Sequence, residues 1–254
     1  MHRFHVSPAA AAGPVVTLPD AESHHATRVL RLQPSDPVTV LDGAGQQLLC
    51  EVREITKRTV SLAVIERVSV PPLPYQLMLL QAIPKGRLMD DIVEKATELG
   101  AAHIVPLLTE RTVPQVDGEA ASAKLAKWQA TAVEAIKQCG SAWLPRIETP
   151  VSLAQFLVRG EKFDLMLVAS LHPGVRHVRE VFQEHRAQHG RAPVRVAVCV
   201  GPEGDFTPGE VASLIAAGAE AMTLGPLVLR CETAAISALS VVGSELQACA
   251  PAGR

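Results

Sequence analysis

The chain has 254 residues, 48% of them hydrophobic and only 3% aromatic, with a formal net charge of −2. That is enough apolar material for one large or two modest domains, holds no apolar run of membrane-spanning length, and argues against a nonspecific nucleic-acid coat, which needs a basic groove lined by stacking rings. Cys50, Cys139, Cys199, Cys231 and Cys249 are scattered without a CxxC spacing, and MHRFHVSPAA lacks the apolar core of a secretory signal, so neither a metal site nor a disulfide framework is expected and the expected setting is the cytoplasm.

Residues 1 to about 70 read as short alternating runs, VTVLDG, QQLLCEVREI and TVSLAVIERV, with Asp42-Gly43-Ala44-Gly45 as a hairpin turn between the first two. A small β-barrel is expected here, electrically balanced by seven basic and seven acidic residues. Its one helical-looking piece, SHHATRVLRL, gathers His24, His25, Arg28 and Arg31. Spacings of three and four would set the arginines beside the histidines on one face. That face reads either as ordinary solvated surface or as a patch for phosphates. Val70-Pro71-Pro72-Leu73-Pro74 reads as a stiff, extended connector, dividing the chain into residues 1–71 and 74–254.

From Tyr75 onward strands and helices alternate. QLMLLQAI is a strand, and 88–99 a helix that buries Leu88, Ile92, Val93, Ala96 and Leu99 and is closed by Gly100. HIVPLL is a strand, 119–138 a long helix, DLMLVAS a strand and 175–189 a charged helix. The run 194–200, VRVAVCV, is apolar at nearly every position, as befits a strand covered on both faces. Thr207-Pro208-Gly209-Glu210 carries a helix start, with Thr207 as N-cap, Pro208 at the first helical position and Glu210 completing a capping box. This alternation implies a mostly parallel sheet with helices on both faces.

Fingerprints of commoner α/β enzymes are absent: no GxGxxG, no GxxxxGK[ST] and no GxSxG. What remains is a pair of loops, GPEG after 194–200 and LGPLVLR one crossover later. Both are rich in glycine and proline and poor in side chains that do chemistry. They read either as two structural βα turns or as a site that binds through main-chain groups at the carboxyl ends of parallel strands, where open α/β sheets hold ligands.

VGPEGDFTPGE followed by LGPLVLRCETA resembles the paired signature of SPOUT methyltransferases, specifically the 16S ribosomal RNA uridine-N3 methyltransferase E family. MHRF, HHATRVLRL and VLDGAG resemble that family's N-terminal PUA-like barrel, and PKGRLMDDIVEKATELGAAHIVPLLTERTV its internal block. The resemblance covers nearly the whole chain and implies a SPOUT-type α/β fold, a mostly parallel sheet whose C-terminal part forms a deep trefoil knot, preceded by a PUA-like, RNA-binding barrel. It also implies S-adenosyl-L-methionine as cofactor, homodimers, and 16S rRNA of the 30S subunit as partner, methylated at N3 of one uridine, with no membrane and no metal.

Residue by residue, Gly201, Pro202, Glu203 and Gly204 match the first cofactor loop. Leu224, Gly225, Leu229, Arg230, Glu232, Thr233 and Ala234 match the second, and Leu171 is expected to close the pocket from a neighbouring strand end. Arg230 is the expected catalytic cation, stabilising charge that develops on the uracil, with bracing of the loop through a carboxylate as the alternative. Glu203 is either a base or a tie for nearby backbone N–H groups. Arg3, His24, His25, Arg28 and Arg31 on the barrel, and Lys85, Arg87, Lys95 and Arg111 in the internal block, are the candidate RNA contacts. The chain departs from the family pattern at Asp205 and Leu227, where glycine and arginine are usual, and over Lys137-Gln138-Cys139-Gly140-Ser141. These departures leave open a second class of function, an RNA-binding assembly factor of the same fold with weak or no methyl transfer.

Overall fold

A computed structural model describes residues 1–112, 118–171 and 174–249. Val113, the last residue of the internal block, and residues 250–254, the end of the second expected domain, lie outside them. The chain divides into two compact units, Met1–Pro72 with Val133–Leu144 and Leu73–Ala132 with Pro145–Arg254. The first unit therefore takes in residues 133–144, which a linear division after residue 71 leaves in the second.

The first unit contains β1 (His2–His5), α1 (Pro8–Ala11), β2 (Val15–Thr17), α2 (Asp20–His24), β3 (Pro37–Leu41), β4 (Gln46–Ile55) and β5 (Val60–Ser69). The five strands form one sheet in the order β1-β3-β4-β5-β2, with β1 parallel to β3 and the other pairs antiparallel. Every second residue of β3 and β4 turns inward, and Phe4, Val16, Val38, Val40, Leu48, Val52 and Leu62 close a core. In the hairpin turn, Asp42 Oδ1 accepts from the Ala44 and Gln46 N–H groups, both at 2.8 Å. Gly45 is required there: its φ is +98°, and a Cβ would come within 2.5 Å of the Trp143 ring.

The expected regular helix over SHHATRVLRL is corrected. α2 stops at His24, a π-helical turn spans His25–Val29, and Arg31 has φ 54°. The wider turn carries both Ala26 and Leu32 into the core, and Thr27 Oγ1 bonds back to the Ser23 carbonyl at 2.9 Å. Arg31 thus leaves the helix, and Arg28 and Arg31 do not share an α-helical face with the two histidines.

The second unit contains β6 (Gln76–Ala82), α3 (Leu88–Glu98), β7 (His103–Leu108), α4 (Gly118–Cys139, from residue 133 on part of the first unit), β8 (Arg146–Ile147), β9 (Val151–Ser152), α5 (Leu153–Val158), β10 (Leu165–Ala169), α6 (Val178–His189), β11 (Arg195–Val200), α7 (Pro208–Ala216), β12 (Ala219–Met222) and α8 (Cys231–Cys249). The sheet runs β12-β10-β11-β6-β7-β8, with β9 also on β7, and all these pairs are parallel. β6, β10 and β11 are buried on both faces, which is why their sequences are continuously apolar. From β6 the chain moves out to one edge, then returns on the other side of β6, where β11 is inserted. That reversal opens a crevice at the carboxyl ends of the strands.

α3 ends as its glycine predicts: Gly100 has φ +80° and the Ala101 N–H returns to the Ala96 carbonyl at 2.9 Å. α6 starts later than the expected residue 175. His177 caps it through Nδ1, while Arg176 bridges to Met222 and its guanidinium pairs with Glu184 and Glu220. No helix among the described residues is long and apolar enough to cross a membrane.

Candidate functional site

The two loops singled out in the sequence face each other across a cavity of about 440 Å³ at the carboxyl ends of β10, β11 and β12. Of the residues expected to hold a cofactor, Leu171, Gly201, Pro202, Glu203, Leu224, Gly225, Leu229 and Ala234 line it, as does Arg230; Gly204 and Thr233 do not. Leu227, Val228 and Glu232, which belong to the expected second loop, line it too, whereas sequence reasoning did not place Leu88, Ala169, Ser170, Val200, Asp205 or Cys231 on this wall. Most of these are neighbours of residues it did place, so adjacency was the available signal. Leu88 comes from α3, and only the fold brings it there.

The first loop is fastened to three other places. Glu203 Oε1 accepts from the Lys85 N–H at 2.8 Å, which joins the GPEG turn to the β6–α3 loop. The Arg111 guanidinium donates to the Gly204 carbonyl. The Cys231 thiol donates to the Gly201 carbonyl at 3.2 Å and accepts from Gln81 Nε2 at 3.2 Å, so β6 and the start of α8 share one link. Burial, with the nearby Glu203 charge adding to it, pushes the Cys231 thiol up to about 12; it stays protonated and keeps its donor. Downstream, the capping box is present: Thr207 Oγ1 accepts from the Glu210 N–H and Glu210 Oε2 from the Thr207 N–H at 2.8 Å. Glu210 Oε1 also accepts from the Glu110 N–H at 2.9 Å.

The second loop is open where the first is tied down. Gly225 has φ +114°, which favours glycine, and Leu227 and Val228 are 72% and 80% exposed. Arg230 sits at the head of α8, its carbonyl accepting from the Ala234 N–H at 2.8 Å. Its guanidinium is exposed and makes no ion pair or side-chain hydrogen bond among the described residues. The alternative of a brace through a carboxylate is therefore not what the geometry shows.

Residues 71–243 match the family model for an RNA methyltransferase domain, and residues 18–65 that for an RNA methyltransferase PUA domain. The ribosomal RNA small subunit methyltransferase E of Synechocystis sp. is 33% identical, with 97% of this chain and 78% of the relative covered. Its namesake in Mycobacterium tuberculosis is 32% identical over 94% and 90%. The chain belongs to the ribosomal RNA small subunit methyltransferase E family. Among solved structures, a putative methyltransferase of Legionella pneumophila in complex with S-adenosylmethionine superposes with a TM-score of 0.84 at 32% identity, covering 95% and 96% of the two chains. The family member from Neisseria gonorrhoeae, bound to S-adenosylmethionine, gives 0.83 at 26% identity over 96% and 97%. The fold is thus the expected one, a parallel sheet flanked by helices with a small N-terminal sheet domain of the PUA type.

Within this family framework the candidate RNA contacts divide by whether their charge is already used. Arg3 donates to the Lys137 and Gln138 carbonyls at 3.1 and 2.9 Å and so closes the carboxyl end of α4. Lys95 pairs with Glu94 and Glu98 on its own helix, and Arg111 is occupied at Gly204. By contrast the exposed side chains of His24, Arg28, Arg31, Lys85 and Arg87 have no ionic partner among the described residues; His25 is half-buried. Of the departures from the family pattern, Lys137 belongs to the first unit's interior: it pairs with Glu22 at 2.8 Å, each side chain 11% exposed. Ser141 Oγ donates to the Trp143 carbonyl.

Proposed function

We propose that this chain transfers a methyl group from S-adenosylmethionine to N3 of one uridine in 16S rRNA of the small ribosomal subunit, in the cytoplasm, as a homodimer whose cofactor loops form a trefoil knot. The observation that carries the reading is the cavity between residues 201–205 and 224–234 with an unengaged arginine, Arg230, on its wall. The donor set fits the cofactor. Its volume lies in the range of small-ligand pockets, roughly 300–1,000 Å³. Its apolar lining includes Leu88, Leu171, Leu224, Leu229 and Ala234, and main-chain groups of the two loops would read the adenine edge by hydrogen bonds.

S-adenosylmethionine supplies an electrophilic methyl group on a sulfonium. The chain's own task is to hold the uracil in line with it, exclude water and stabilise the charge left when N3 loses its proton. Arg230 is the cation for uracil O2 or O4. Glu203, committed to the Lys85 N–H, serves as a brace of the loop rather than as a base. Lys85 and Arg87 on the β6–α3 loop, and Arg28 and Arg31 on the first unit, are the cations offered to rRNA phosphates.

The test is mass spectrometry of 16S rRNA from a strain lacking the gene. N3-methyluridine is expected to be lost, restored by the wild-type gene and not by Arg230→Ala. By calorimetry Arg230→Ala binds S-adenosylmethionine within a few-fold of wild type. Rescue by the variant would remove Arg230 from the chemistry. A wild-type chain that binds no S-adenosylmethionine would favour the assembly-factor reading instead.

A further inference from the structure

The cavity wall carries more negative than positive charge: Glu203, Asp205 and Glu232 against Arg230 alone. Asp205 differs from the other two. Its backbone is left-handed, φ 60°, a conformation that aspartate tolerates better than most residues because its short side chain bonds locally. Here Oδ1 accepts from the Phe206 N–H at 2.7 Å. The same oxygen lies 2.8 Å from where a Cβ on Gly201 would stand, so it is packed against the first residue of the loop. Asp205 is half-buried and has no cationic partner among the described residues. The fold thus fixes an uncompensated carboxylate on the cavity wall.

S-adenosylmethionine carries a sulfonium and an ammonium against one carboxylate, whereas the product, S-adenosylhomocysteine, has lost the sulfonium charge and is neutral overall. Resting on the cofactor reading above, we propose that Asp205 is a specificity-determining residue that makes this pocket prefer the cationic cofactor over its neutral product. Transfer of the methyl group removes the charge that the carboxylate attracts, so the product is held less tightly than the cofactor was. A residue that read only the shared adenosine would hold both equally and would retain the product.

The experiment is isothermal calorimetry on the full chain with S-adenosylmethionine, S-adenosylhomocysteine and sinefungin, a stable analogue bearing an amine in place of the methylsulfonium. Asp205→Asn keeps an oxygen acceptor and tolerates the left-handed backbone; Asp205→Gly relieves that backbone and deletes the side chain. In both variants the preference for S-adenosylmethionine over S-adenosylhomocysteine is expected to fall about five- to tenfold, as expected for one partly screened charge pair. Sinefungin should follow S-adenosylmethionine, and affinity for S-adenosylhomocysteine should stay within about twofold. In wild type the preference shrinks at high salt. Equal weakening of all three ligands, or an unchanged ratio, overturns the role of Asp205 while leaving the cofactor pocket standing. Absence of binding by wild type to all three overturns the pocket reading, and the inference with it.

Discussion

At the scale of single residues, the first cofactor loop is held less by its own turn than by bonds from elsewhere. Arg111 illustrates this. Its side chain lies over Gly204, where an added Cβ would meet Arg111 Cδ at 3.2 Å, and its guanidinium holds the Gly204 carbonyl. A charge-assisted bond of this type, discounted for the exposure of Arg111, contributes about 1 kcal/mol. Arg111→Ala is therefore expected to weaken S-adenosylmethionine binding roughly fivefold in the absence of any RNA, measured by calorimetry. A residue that only contacts rRNA phosphates would leave that affinity unchanged and alter only binding to the ribosomal substrate. The sequence marks Arg111 as a cation in a recognisable block. It holds no sign that the charge is spent on a carbonyl at residue 204, because the fold alone makes that approach.

At the scale of elements, Thr207-Pro208-Gly209-Glu210 shows both what local patterning reveals and where it stops. The N-cap, the proline and the reciprocal bonds are all local and all legible. The second bond of Glu210, to the Glu110 N–H, is not, although it makes the carboxylate serve two segments at once. Unequal costs follow. Thr207→Ala should lose about 1 kcal/mol, the usual worth of a cap. Glu210→Ala should lose more, about 2–3 kcal/mol, because it strands two N–H groups beside a side chain only 8% exposed. Urea unfolding with an unchanged m-value would measure both. Equal losses would mean that the Glu110 bond adds nothing. The same boundary explains other outcomes. Apolar periodicity gave β6, β11 and α3 within a residue or two, since each is buried along its whole length or one stripe. It missed the π-helical turn at His25–Val29, which is set by how far Ala26 and Leu32 must reach into the first unit's core, and the late start of α6, set by Arg176 bridging to Met222. The family resemblance marks Lys137 only as a departure from its pattern and cannot reveal its partner Glu22, which is remote in sequence.

At the scale of the whole molecule, the acid limit of stability has an identifiable contributor. Asp164 accepts from Arg191 at 2.6 Å and from the Val194 and Arg195 N–H groups at 2.7 and 2.9 Å. The Arg191 guanidinium first, and then those two N–H groups, hold its carboxyl well below its ordinary value of 3.8. A depressed folded value means stability that is present above about pH 4 and lost as pH falls toward the folded value, where the native carboxylate takes up its proton. Asp164→Asn is expected to cost about 2 kcal/mol at pH 7, with the gap to wild type narrowing as pH is lowered below about 4. Chemical denaturation across that range measures it. A gap that does not change with pH would show that the carboxyl is not ionised-state specific in what it contributes.

The position of β11 has a consequence for how the molecule assembles. It is an interior strand, flanked by β6 and β10, and its register sets Gln76 against Arg195 and Leu165 against Val196. One of its two neighbours therefore lies far back along the chain, and the loop that closes when they pair is long, which slows the search for the native arrangement. Until β11 is seated, β6 and β10 have no strand between them, and the 201–205 wall of the cavity has no strand end to leave from. In chain order β6 and β10 precede β11, so the residues that line the cavity are complete only once residues 200–234 have been made. The order of synthesis itself delays the appearance of the site until the last third of the chain is available.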